Sequence, residues 1–201
     1  MKWYKYDIRD LTDGEYRRWY SLMSKEKHQR VDKFRFVDDK KRMVAGEMLA
    51  RKAIADKCGV NTGSILFDTT AYGKPYAVGL AVEFNISHSA DMVVCAVDDK
   101  PVGIDIEKIR PIDIKAAKHF CTDKELNYLF GHTPTEQDFT YTENPEILTR
   151  FFKLWTAKEA YGKLSGKGIS CHDKLDIKKY IKYCFRNDEY VISILKKDNI
   201  V

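Results

Sequence analysis

Val102-Gly103-Ile104-Asp105-Ile106-Glu107 is the stretch whose reading decides the fold. Side chains of a strand leave alternate faces, so Ile104 and Ile106 share one side while Asp105 and Glu107 share the other. The six residues read as a strand with strict alternation, bracketed by the turn Asp98-Asp99-Lys100-Pro101 and by Pro111. Upstream, Met92 to Val97 and Val82 to Ser87 alternate or run apolar like paired strands, Tyr72-Gly73-Lys74-Pro75 is a turn, and Ile65-Leu66-Phe67 is a short strand.

Further back the period changes. Trp3 to Ile8 reads as a first strand, and Thr12-Asp13-Gly14-Glu15 has the spacing of a capping box that opens a helix. A second helix starts at Ser24, carries Lys25, Lys27, Arg30, Lys33 and Arg35, and is predicted to end near Phe36. A longer one runs from Asp38 to Gly59. Downstream of the deciding strand, a helix is predicted from about Ile112 to His119, and Thr122 to Glu125 forms another capping box. Gly131 to Pro145 reads as a floppy polar loop, and an aromatic helix from about Ile147 to Leu164 is stopped by Gly166-Lys167-Gly168. Strands near Leu175 to Cys184 and Tyr190 to Lys196 follow. The pattern is that of an α+β protein with two interleaved lobes.

The chain has 201 residues, 44% of them apolar, which excludes disorder and collagen-like repetition and allows a substantial core. Its net charge of +5 suits an acidic partner or a phosphorylated ligand but falls short of a polycationic nucleic-acid binder. No apolar run long enough to span a bilayer and no greasy leader is present, so a cytoplasmic protein without membrane partners is expected. Five cysteines without a CxxC pair suggest free thiols in small apolar roles.

Two like charges on one face of a strand repel unless a cation sits between them. Asp105 and Glu107 read either as the wet side of an amphipathic strand or, with room beside Gly103, as a half-site for Mg²⁺. Glu159, one turn beyond Trp155 and next to the apolar stripe, is the candidate third ligand; with Lys163 it reads equally as a surface ion pair. Asn85-Ile86-Ser87-His88-Ser89 ends a strand with groups that donate to a phosphate or lock a turn. Lys27, Arg30, Arg42 and Lys74 read singly as solvated charges, although Gly73-Lys74-Pro75 fixes its lysine on a rigid turn.

Taken in order, Asn85 to Ser89, Val102 to Glu107, and Phe151 to Tyr161 with Lys163 resemble the 4′-phosphopantetheinyl transferases, most of all the surfactin-synthetase-activating type. The resemblance extends through Lys27, Arg30, Arg42 and Gly73-Lys74-Pro75 and covers about residues 3 to 195. It implies a monomer of two similar, pseudo-twofold-related lobes, residues 1–100 and 101–201, with coenzyme A and Mg²⁺ (or Mn²⁺) in the cleft between them. It also implies that an acidic acyl or peptidyl carrier protein docks alongside.

By the same resemblance Asp105, Glu107 and Glu159 are metal ligands, and Lys27, Arg30, Arg42, Lys74, Ser87 and His88 contact the adenosine and 3′-phosphate end. Lys163 contacts the pyrophosphate. The carrier serine attacks the β-phosphorus, and its proton passes to Glu159 or through a metal-held water near Glu125. Glu125 has a second explanation as the capping-box partner of Thr122. Cys121 and the length of the Gly131 to Pro145 loop depart from the family pattern. Rival readings are another Mg²⁺-dependent phosphoryl or nucleotidyl transferase, or a non-catalytic basic module that docks an acidic helix.

Overall fold

A computed structural model describes residues 1–165, 184–186 and 189–196. β1 (Lys2–Asp7) leads through a 3₁₀ turn into α1 (Asp13–Ser21), opened by the expected box in which Thr12 and Glu15 satisfy each other's backbone N–H groups. α2 (Lys25–Lys33) is capped by Ser24 and stops three residues short of the expected end, because Phe34 turns extended and lines a cavity. α3 (Val37–Cys58) closes on Gly59, whose φ of 70° is the left-handed conformation that a glycine adopts at no cost.

The short strand expected at Ile65 begins instead at Phe67: β2 (Phe67–Thr69) pairs with β3 (Pro75–Ala77) in a small ribbon. β4 (Glu83–Ser89) and β5 (Met92–Asp98) follow, then β6 (Val102–Lys108), the strand that the alternation predicts. The helix expected over Ile112 to His119 is mostly absent. Ile112–Asp113 form β7, a 3₁₀ turn follows, and only α4 (Ala117–Phe120) is helical. Pairing across the chain overrides local propensity here, because β7 finds a partner in β8 (Tyr141–Thr142).

That pairing also corrects the reading of the loop after α5 (Asp123–Phe130) as floppy. Asp138 accepts from the Thr135 N–H at 2.7 Å, and Phe139 is buried edge-on against Phe130. α6 (Pro145–Ser165) starts two residues earlier than expected, with the Asn144 side chain accepting from the Glu146 N–H and proline at the first helical position. β9 (Cys184–Arg186) and β10 (Tyr190–Lys196) end the described chain. The glycine stop at 166–168, the start of the strand expected near Leu175, and Cys171 lie outside the described residues.

Two antiparallel three-stranded sheets result, in the orders β1-β5-β4 and β6-β10-β9. α3 covers the first through Val44, Met48 and Leu49 against Val93, Cys95 and Val97. The opposite face of β5, Val94 and Ala96, packs on Ile104, Ile106, Ile192 and Ile194 of the second sheet. α6 covers the far side of that sheet, where Thr156 and Ser193 hydroxyls meet at 2.7 Å. The order is helix, sheet, sheet, helix, so the chain is α+β as the sequence predicts. Cys95 is fully buried and its thiol is pushed up to about 12 by desolvation, in keeping with a small apolar role. No helix among the described residues is long and apolar enough to cross a membrane.

β4 and β6 lie side by side without a shared backbone ladder, and side chains make the join. The Ile104 N–H donates to Asn85 Oδ1 at 3.0 Å, Ser87 Oγ donates to Asp105 Oδ1 at 2.7 Å, and the Lys108 N–H donates to Ser89 Oγ at 3.1 Å. On β6 the companion feature is Gly103. A Cβ built there lies 1.9 Å from the Ala160 carbonyl oxygen and 2.8 Å from the Leu164 nitrogen, both backbone atoms of α6. The helix therefore rests on the strand at main-chain distance.

Gly103→Ala is expected to cost about 3 kcal/mol, at the upper end for overpacking, because the obstructing atoms are main chain. Urea unfolding measures it, and a loss below about 1 kcal/mol would show that α6 shifts freely.

Candidate active site

Period-two geometry sorts the residues of β4. Asn85, Ser87 and Ser89 point to β6, while Ile86 and His88 point away and line a cavity of about 300 Å³ beneath α3. Ser87 and His88, expected together at the adenosine and 3′-phosphate end, therefore serve different places: Ser87 touches Asp105, and His88 borders the cavity.

The cavity has apolar walls from Phe34, Met43, Phe67, Phe84 and Ile86, and its charged lining is Lys27 and Arg42 with Asp39 and Glu47. Lys27 Nζ donates to Glu47 Oε2 at 2.5 Å and stands 4.6 Å from the Phe67 ring centre. Glu47 is itself buried and bound by Arg51 at 2.7 Å, and Arg51 spends its remaining donors on the carbonyls of Leu22, Thr62 and Ile65. Every charge in that chain has a partner, which a buried charge requires. Arg42 donates to Asp39 at 2.6 Å and to the Ala90 carbonyl at 2.8 Å. Lys74 Nζ reaches Glu83 at 3.0 Å on its turn, and Arg30 is exposed on α2; neither lines the cavity.

Gly103, Asp105 and Glu107 face α6, as the alternation requires. Lys163 Nζ donates to Asp105 Oδ1 at 2.7 Å and to Ser87 Oγ at 2.8 Å. Glu107 Oε2 accepts from Ser89 Oγ at 2.8 Å and lies 3.3 Å from Arg110. Burial raises the Asp105 carboxyl above its usual range and Glu107 adds to this, with Lys163 and Ser87 offsetting part of it. Glu159, half-buried on α6, is raised by the same desolvation and then by Asp105 and, less, by Glu107. The three acids thus share one electrostatic neighbourhood.

Asp105 Oδ2 is buried with no hydrogen-bond partner. An orphaned carboxylate oxygen beside two further carboxylates is a donor set suited to a hard divalent cation such as Mg²⁺. Among the described residues, no three His, Cys, Asp or Glu side chains stand close enough to hold an ion as they are.

Glu125 is 1% exposed. Its Oε2 accepts from the Thr122 N–H at 2.6 Å, and its Oε1 lies 3.0 Å from Lys158 Nζ, itself buried. The capping role is realised, and both oxygens are engaged. Lys158, Glu47 and Arg51 are parts of the site's framework that reading the sequence for chemistry passed over. Glu47 and Arg51 carried a usable signal, being charges four apart in a stretch with no polar face.

Comparison with known proteins decides the family. Residues 11–100 match the N-terminal 4′-phosphopantetheinyl transferase model, and residues 101–195 match the 4′-phosphopantetheinyl transferase superfamily model. The chain belongs to the 4′-phosphopantetheinyl transferase family. It is similar to a 4′-phosphopantetheinyl transferase of Bacillus subtilis, 40% identical over 167 residues that cover 82% of this chain and 70% of that protein. Similar too are psf-1 of Bacillus pumilus, 39% identical over 85% of this chain and 71% of the relative, and Sfp of Bacillus subtilis strain 168, 36% identical over 82% and 70%. Relatives of the surfactin-synthetase-activating type therefore align with most of this phosphopantetheinyl transferase, and the superfamily model's match takes in strand β6 and helix α6.

Two measurements check the electrostatics. Desolvation, then Arg42 and Lys163, hold the His88 imidazole below 6.5 although the residue is exposed, so its NMR titration midpoint is expected below that value and rises in Arg42→Gln. Because the folded-state value is depressed, this histidine lowers stability as pH falls from about 6.5 toward that midpoint. Lys158→Met strands the Glu125 carboxylate and is expected to cost about 3–5 kcal/mol in urea unfolding.

Proposed function

We propose that the protein transfers the 4′-phosphopantetheine arm of coenzyme A to a serine of an apo acyl or peptidyl carrier protein, releasing adenosine 3′,5′-bisphosphate. The observation that carries the proposal is the placement of an acidic group and a cavity with basic side chains on the two faces of one strand: Ser87 reaches Asp105 and Lys163, and His88 reaches the pocket with Lys27 and Arg42, whose present partners there are Glu47 and Asp39. A ligand with a nucleotide at one end and a diphosphate in its middle spans such a strand. The relatives' names state a 4′-phosphopantetheinyl transferase, and the reading adds the donor, the acceptor and the leaving group for this chain.

In this reading the nucleotide end occupies the apolar cavity, with Lys27, Arg42 and His88 at its phosphate and with Arg30 and Lys74 adding positive charge from outside the lining. Lys163 turns from Asp105 to the diphosphate and neutralises charge as the bond from the β-phosphorus to the bridging oxygen breaks. The serine oxygen forms the new bond to that phosphorus, and its proton goes to a carboxylate oxygen of Glu159. Raised affinity for a proton and partial exposure suit Glu159 to the task better than Glu125, whose oxygens are spent on Thr122 and Lys158. Asp105, Glu107 and Glu159 would hold Mg²⁺, which supplies Lewis-acid stabilisation of the phosphoryl oxygens.

We also propose two lobes, residues 1–100 and 101–201, in a cytoplasmic enzyme. Each described sheet draws all its strands from one side of Lys100, which supports the division.

Incubation with coenzyme A, Mg²⁺ and an apo carrier protein, read by mass spectrometry, is expected to show one added phosphopantetheine. Asp105→Ala is expected to abolish the gain while retaining the circular dichroism of the fold, and a carrier that stays unmodified with the unaltered protein across several partners would overturn the reading. A docking module without turnover predicts that Asp105→Ala is harmless. With an acidic carrier, the transfer rate is expected to fall as ionic strength rises.

A further inference from the structure

Asp105 is a buried acid that needs a counter-charge, and the chain supplies one itself. Lys163 spends two ammonium donors in the site, on Asp105 Oδ1 at 2.7 Å and on Ser87 Oγ at 2.8 Å, while Asp105 Oδ2 stays buried and unpartnered. Its side chain is 28% exposed against 7% for that of Asp105, so the ammonium reaches the site from its open side. The helix that carries it rests on Gly103 at main-chain contact, which leaves rotation of the side chain as its route out.

We propose that Lys163 is a resident counter-cation, filling the acidic site of the ligand-free protein and leaving Asp105 when a divalent ion enters. The inference rests on the reading of Asp105, Glu107 and Glu159 as the ligands of that ion. An ion arriving alone must displace a charge-assisted pair and leave the ammonium without its carboxylate. An ion arriving with a diphosphate does not, because the phosphate oxygens take the ammonium over. Metal and coenzyme A therefore favour each other's binding through Lys163, and the coupling is reciprocal.

Arg110 is the internal control. Its guanidinium is also beside a site acid, 3.3 Å from Glu107, but it is 57% exposed and leaves Asp105 untouched. The experiment titrates Mn²⁺ alone into the full chain and reads free Mn²⁺ by electron paramagnetic resonance, without coenzyme A. Lys163→Gln is expected to bind at least about ten-fold more tightly than the unaltered protein, and Arg110→Gln within about two-fold of it. In EDTA, Lys163→Gln is expected to melt below the unaltered protein and to recover with Mn²⁺. Should glutamine prevent folding, Lys163→Met preserves the apolar stem and takes its place.

Equal Mn²⁺ affinity in the unaltered protein and the Lys163 variant overturns the proposal, as does an equal gain in Arg110→Gln, which would reduce the effect to general charge. Absence of Mn²⁺ binding in every variant, with coenzyme A present as well, overturns instead the assignment of the three acids as metal ligands, and this proposal with it.

Discussion

The join between β4 and β6 is the constraint on which the rest depends. Two sheets meet there without a backbone ladder, held by Asn85, Ser87 and Ser89 reaching across to β6. The Asn85 and Ser87 contacts satisfy buried polar groups, and the Ser87–Asp105 bond lies in the site itself. Since alternate residues of a strand face opposite ways, the five-residue stretch whose Asn85, Ser87 and Ser89 lock the join also delivers His88 to the cavity under α3. Structure and site are thus two faces of one strand.

Around this join the fold sets charge with backbone rather than with flexible arms. Gly103 lets α6 approach until main chain meets main chain, and that approach brings Lys163 onto Asp105. The cost is an acidic group whose carboxyls are raised by burial and by one another, offset in part at Asp105 by Lys163 and Ser87. Elsewhere the fold avoids such tension: Glu47 with Lys27 and Arg51, and Glu125 with Lys158, are buried charges whose partners are already in place.

The strand and helix periods were enough to place Asp105 and Glu107 on one face and to set Lys163 one turn from Glu159. They located β6, β10 and α6 closely, because those elements bury a regular stripe. They failed at Ile112–Asp113 and Tyr141–Thr142, where β7 and β8 form only through each other and local sequence carries no trace of a partner about thirty residues away. The alternation that separates Ser87 from His88 was present in the sequence, but grouping the two as one motif hid it. Lys158 was unreadable for a different reason: a buried lysine looks like a surface one until its carboxylate, on another helix, is known.

A join made by side chains differs from one made by backbone in what it recognises. Any extended segment can extend a ladder, whereas Asn85, Ser87 and Ser89 fit only a strand bearing the right acids at the right spacing; a slip by one residue would present Ile86 and His88 instead. Severing the chain in the tight bend at Asp99–Pro101 would leave each fragment with all the described strands of its own sheet and half of this lock. Reassociation of such fragments would report on the lock itself, making the molecule a natural template for split-protein complementation.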